Sequence, residues 1–138
     1  MVNIIPHEID KNTKYIIHPD HRNNTRDKSQ WTISPDVEIG VFTYSLNNSW
    51  LIKQDGWGLY LNGNTVLILG HSSDNQRSLF IARFIDSTNK QEWHGYPADH
   101  VRRNSDIPAV ELLQTWMTNG YLRPAKVSKI VRGKPCNL

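Results

Sequence analysis

Cysteine is almost absent from this chain of 138 residues: Cys136 stands alone, near the end. A single thiol has no intrachain partner, so a disulfide framework is excluded and a reducing cytoplasm is the expected compartment. Long apolar runs are missing as well. None approaches the roughly 20 residues that span a bilayer, and no membrane contact is expected. The opening stretch, MVNIIPHEIDKN, has neither a basic start nor an extended apolar segment, which argues against a secretory leader. Internal repeats and low-complexity tracts are lacking too. What remains is a chain with 38% hydrophobic residues, long enough for one domain with a real core and more loop-rich than a helical bundle.

Charge is unevenly placed. Residues 31–100 hold four Lys/Arg against seven Asp/Glu, a net −3, whereas residues 101–138 hold seven against two, a net +5. A basic final quarter on a mildly acidic body points to an anionic partner, nucleic acid or an acidic protein surface.

Residues 1–30 read as a polar, irregular N-terminal arm, broken by Pro6 and Pro19, with only Lys14–Ile17 patterned as a strand. From Trp31 to Trp93 the pattern reads as β. Val37–Tyr44 is rich in β-branched and aromatic residues, Asp55-Gly56 is a hairpin signal, and Asn62-Gly63-Asn64 separates two further apolar runs. These spacings predict an antiparallel β-meander of five to six strands, with the sheet body over 31–96.

After Pro97 the period changes. Asp106 is placed as an N-cap with Pro108 in the first turn, and Ala109, Leu112, Leu113, Trp116 and Met117 form one apolar stripe. Gly120 stops that helix; Pro124 opens a second, closed by Gly133, with Lys126, Lys129 and Arg132 outward. The expected fold is α+β: a meander followed by a basic αα-hairpin over 105–133, packed on the sheet within a single domain.

Four places attract chemistry. In QEWHGYPADH (residues 91–100), His94, Asp99 and His100 have the residue types for general acid–base work, and Arg102 and Arg103 follow as a clamp for phosphate or carboxylate. A strand end where Trp93 and Tyr96 anchor a change of direction accounts for the same residues without chemistry. His18-Pro19-Asp20-His21 offers metal-ligand types, but no framework at metal-binding spacing accompanies it, so neither metal nor cofactor is expected. The glycine turns at 55–58 and 70–73 match no phosphate-cradling loop. Finally, Leu112–Met117, the turn at Asn119-Gly120-Tyr121 and Ala125–Arg132 loosely resemble a helix-turn-helix. Trp116 falls where that motif takes a small residue, and Lys126 where it takes an apolar one.

No complete catalytic signature is present. The sequence therefore favours a small non-enzymatic binding protein whose basic residues Arg102, Arg103, Arg123, Lys126, Lys129, Arg132 and Lys134 meet nucleic acid or an acidic partner. Five tryptophans fit such a role, since Trp is enriched at binding hot spots. A phosphoesterase or nuclease using His94 and His100 with the two arginines is the alternative, and a protein inhibitor or accessory subunit the third reading.

Overall fold

The computed structural model describes residues 6–138; residues 1–5, part of the stretch read for a leader, lie outside them. The chain departs from the meander at Ser34. Its hydroxyl accepts the Val37 N–H at 3.2 Å, Pro35 takes a first-turn position, and Asp36 and Glu38 sit at the positive end of the dipole. Helix α1 (Pro35–Asn47) results, where the β-branched run predicts a strand. Three start signals at one end outweigh the modest strand preference of Val37–Tyr44. The helix buries Glu38, Val41, Phe42 and Ser45, which share one face at i, i+3, i+4 and i+7.

The second departure is a parallel pair. Strand β1 (His7–Glu8) runs antiparallel to β2 (Lys14–Tyr15), and β2 lies parallel to β10 (Glu92–Pro97), with Tyr15 opposite Trp93. The Ile16 N–H donates to the Trp93 carbonyl at 2.7 Å, extending this link. The sheet is therefore mixed, not an antiparallel meander. Local patterning cannot reveal a pairing between segments so far apart in the chain.

Asp55-Gly56 is not a turn but the start of a paired strand. The turn lies two residues earlier, at Lys53-Gln54 between β4 (Leu51–Ile52) and β5 (Asp55–Asn62), where Lys53 has φ 58°. Gly56 faces Leu51 across the pair, and a Cβ there would run into the Leu51 side chain. Beyond β5, Gly63 at φ 62° turns the chain into β6 (Thr65–Leu67). With β9 (Ile81–Ile85), the main sheet has the order β1-β2-β10-β9-β5-β4, and β6 also pairs with β5. A smaller sheet joins β3 (Gln30–Trp31), β7 (Gly70–His71) and β8 (Ser78–Leu79).

Helices cover both faces of the main sheet. Helix α1 rests on one face, where Tyr15, Phe42, Phe84 and Trp93 pack together; Phe42 and Phe84 meet edge-on at 5.2 Å. The seating of α1 on β5 needs Gly58, whose Cβ would run into the Ser45 hydroxyl and come within 2.9 Å of Phe84. On the other face, α2 (Val110–Thr118) and α3 (Pro124–Val131) bring Leu112, Leu113, Trp116 and Ile130 onto Trp50, Leu59 and Ile81. Neighbouring Ile81 and Ala82 in β9 belong to opposite cores, as strand alternation requires.

Asp106 is not the N-cap of α2, which begins behind Ala109 with no side-chain cap. It is buried in a single 3-10 turn, Asn104–Asp106, with both oxygens engaged elsewhere. All five tryptophans are buried as well, the most exposed at 7%, so they build the core rather than a binding surface. Among the described residues, no helix is long and apolar enough to cross a membrane.

Candidate functional site

The segment 94–103 distributes its reactive groups rather than gathering them. His94 and Tyr96 are opposite Ile85 and Arg83 in the β10–β9 pair, hence on one face of the sheet, and the segment 18–21 packs over them. The His94 and His18 rings lie 6.1 Å apart, and His21 stacks on Tyr96 at 5.1 Å with an interplanar angle of 16°. Burial, and then the neighbouring His18, hold the His94 imidazole below its ordinary range. Asp99 is buried, and Arg77 grips both its oxygens, at 2.5 and 2.6 Å. His100 points elsewhere: its Nε2–H donates to the Lys134 carbonyl at 2.7 Å and pins the C-terminal tail.

Two cavities follow from this arrangement. A cleft of about 70 Å³ is bordered by Asp99, Arg102 and Arg103 together with His21, Lys28 and Tyr96. A broader groove, about 520 Å³, lies between residues 76–79, the start of segment 100–101, α3 and the tail. Arg77, His100, Lys126, Lys129 and Cys136 line it. The Arg77–Asp99 ion pair is the wall they share, Arg77 facing the groove and Asp99 the cleft. His94 borders neither, so His94, Asp99 and His100 do not converge on one reaction centre.

The cleft is built from a network that fixes its carboxylates. Tyr96 donates its hydroxyl to Asp106 at 2.6 Å, and the Asp99 N–H donates to the other Asp106 oxygen at 2.8 Å. Burial and then that hydrogen bond push the Tyr96 phenol well above its usual range, so it stays a donor. Arg102 donates to the Ser73 hydroxyl and to the Asp27 carbonyl at 3.4 Å, with the Asp27 carboxylate 3.5 Å away. Arg103 has no side-chain hydrogen bond or ion pair among the described residues.

His21 enters the cleft although the sequence places it in a turn beside a metal-type residue set. Its Nδ1–H donates to the Ser29 carbonyl at 2.8 Å, which leaves the lone pair on Nε2. Burial holds this imidazole below its ordinary range, with the Ser29 bond opposing and His18 and Lys28 adding to the shift. His18 accepts the Asp20 N–H on Nδ1, capping the short turn Pro19–His21. No group of three or more His, Cys, Asp or Glu among the described residues is arranged to hold a metal ion.

The basic C-terminal residues divide in the same way. Lys126 and Lys129 line the groove; Arg123, Arg132 and Lys134 are exposed in the same unit; Arg102 and Arg103 belong to the cleft. Cys136 is half-buried at the groove, and burial raises its thiol while Lys126 and Lys129 pull the other way. Arg77 is the groove residue that the charge pattern does not flag, since it lies in the acidic body and 22 positions before its partner.

No protein-family model matches the chain, and neither the curated proteins nor the solved structures contain a significant match to it.

Proposed function

We propose that this is a non-enzymatic binding protein that holds the backbone of a nucleic acid on its basic C-terminal unit. The observation that carries the reading is the groove of about 520 Å³, bordered by Lys126 and Lys129, with Arg77 in its wall already paired to Asp99 and no carboxylate among the residues that line it. Exposed Arg123, Arg132 and Lys134 extend the positive surface around it. No Phe, Tyr or Trp lines the groove, its one imidazole, His100, is tied to the Lys134 carbonyl, and every tryptophan is buried, so a platform for base stacking is not provided. Recognition is therefore of phosphates, sequence-independent and salt-sensitive. A reducing cytoplasmic setting accords with the free thiol at the groove.

Fluorescence anisotropy with a labelled duplex tests this. Neutralising about four phosphates predicts that affinity falls roughly a hundredfold between about 50 and 200 mM salt. Charge reversal by Lys126→Glu with Lys129→Glu is expected to remove most of the low-salt affinity without unfolding the domain. Absence of binding at low salt overturns the reading, and retention of one stoichiometric acidic protein in its place would reassign the groove.

A further inference from the structure

Two of the three carboxylates that border the small cleft, Asp99 and Asp106, are already engaged from within the fold, while some of its positive groups are not. Arg77 takes both Asp99 oxygens, and the Tyr96 hydroxyl and Asp99 N–H take those of Asp106. Asp27 lies beside Arg102. Neither Arg103 nor Lys28 has a side-chain hydrogen bond or ion pair among the described residues, and both border the cavity. The cavity volume of about 70 Å³ leaves space for a few ordered waters or one tetrahedral oxyanion.

We propose that this cleft is an oxyanion site for a single phosphate group, bound by Arg102, Arg103 and Lys28 with His21 as the fourth donor. Arg102 is held in place by Ser73 and Asp27, so its guanidinium is oriented before the ligand arrives. Arg103 and Lys28 are the unengaged charges that close on the anion. His21 is tied through Nδ1–H to Ser29, so a proton taken up on Nε2 creates a donor whose natural acceptor is an anion in the cavity. Burial, His18 and Lys28 hold that proton off when no anion faces the ring. A bound dianion reverses the balance, so ligand binding and His21 protonation strengthen each other. The remaining titratable groups facing the cleft side of the ring are His18 and Asp20 on its own turn, Tyr96 stacked against it, Asp27 beside Arg102, and the internally bonded Asp99 and Asp106.

The site does not depend on the nucleic-acid reading of the groove, and its test uses a different ligand. Sulfate is the probe, because its charge is constant across the histidine range. Titration followed by NMR is expected to show saturable shifts at His21, Ser29 and Tyr96, with the His21 pKa moving upward in the presence of sulfate. Arg103→Ala and Lys28→Ala are each expected to weaken sulfate roughly tenfold, the value of one charge-assisted hydrogen bond. Lys11→Ala, outside the cleft, and Lys126→Glu with Lys129→Glu, in the groove, leave it unchanged. A short oligonucleotide with and without a 5′-phosphate then separates the sources. A phosphate-dependent gain lost in Arg103→Ala assigns the site to a nucleic-acid terminus. Equal affinity with sulfate binding intact assigns it to free phosphate or a small phosphate ester, and either result supports the site. If sulfate produces no saturable shift at His21, or binds Arg103→Ala and Lys28→Ala as well as the native chain, the proposal is overturned whatever the groove binds.

Discussion

Glu38 and Asp99 are both buried carboxylates paired with an arginine from elsewhere in the chain, yet only Asp99 borders a cavity. Glu38 is wholly enclosed on the inner face of α1, where Tyr15 donates its hydroxyl and Arg22 donates from Nε and Nη2 at 3.1 and 2.6 Å. Burial pushes its carboxyl above the usual range, and the Tyr15 and Arg22 hydrogen bonds work against that push. Arg77 spans both oxygens of Asp99, where Arg22 directs both donors to one oxygen of Glu38, but a quarter of the Arg77 side chain remains exposed and the pair lies between the cleft and the groove. The same chemistry thus serves cohesion in one place and shapes a binding wall in the other. What separates them is access, which decides whether a lost partner can be replaced by water.

The sharpest way to break that comparison is to remove each arginine. Arg22→Ala strands Glu38 in a dry site and is expected to cost about 3–5 kcal/mol of unfolding free energy in urea denaturation. Adding Glu38→Gln should recover part of the loss, because the stranded charge is gone. A cost under about 1 kcal/mol would mean that water reaches Glu38, and the contrast would vanish.

Arg77→Ala comes next and is expected to be milder, about 1–3 kcal/mol, because water in the cleft and groove can solvate Asp99. It also removes the wall between the cavities and one of the groove's cations. A loss equal to that of Arg22→Ala would show that the cleft stays dry around Asp99, and would count against an anion site there.

The two regions were also unequally legible in the sequence. The stripe on α2 reads directly, because Leu112, Leu113 and Trp116 repeat at helical spacing and are buried. Gly120 and Gly133 mark helix ends for a physical reason, with φ 83° and 67°. Helix α1 was hidden by its composition: Val37, Ile39, Val41 and Phe42 favour strands, and only the Ser34-Pro35-Asp36 start gave it away. The β2–β10 pairing and the Arg77–Asp99 contact left no local mark, since both join distant segments. The candidate site suffers most from this. His94, Asp99 and His100 look like one cluster in the chain, but successive residues of a strand and its exit point in different directions. His21, from a different suspect stretch, is the histidine that reaches Arg102 and Arg103.

The smallest expected effect is the dependence of stability on pH, and it sharpens the comparison from the histidine side. Burial and His18 hold both His21 and His94 below the ordinary imidazole range. Asp20 near His21 and Asp86 near His94 pull upward, and Lys28 pulls His21 down further. Above about pH 6.5 these rings are neutral in both states and contribute no pH dependence. As the pH falls through that value the unfolded chain takes up protons first, so stability is lost until the folded-state imidazoles also protonate. Glu38 acts with the opposite sign at lower pH, because its raised carboxyl binds its proton earlier in the folded state. The histidine contribution is therefore read as a difference between variants. Urea midpoints at about pH 8 and about pH 5.5 should fall on acidification for the native chain, and fall less for His18→Gln, which removes the shared repelling ring. Equal drops in the two proteins would show that the three rings do not sense one another, and would leave His21 free to titrate in the cleft without reference to its neighbours.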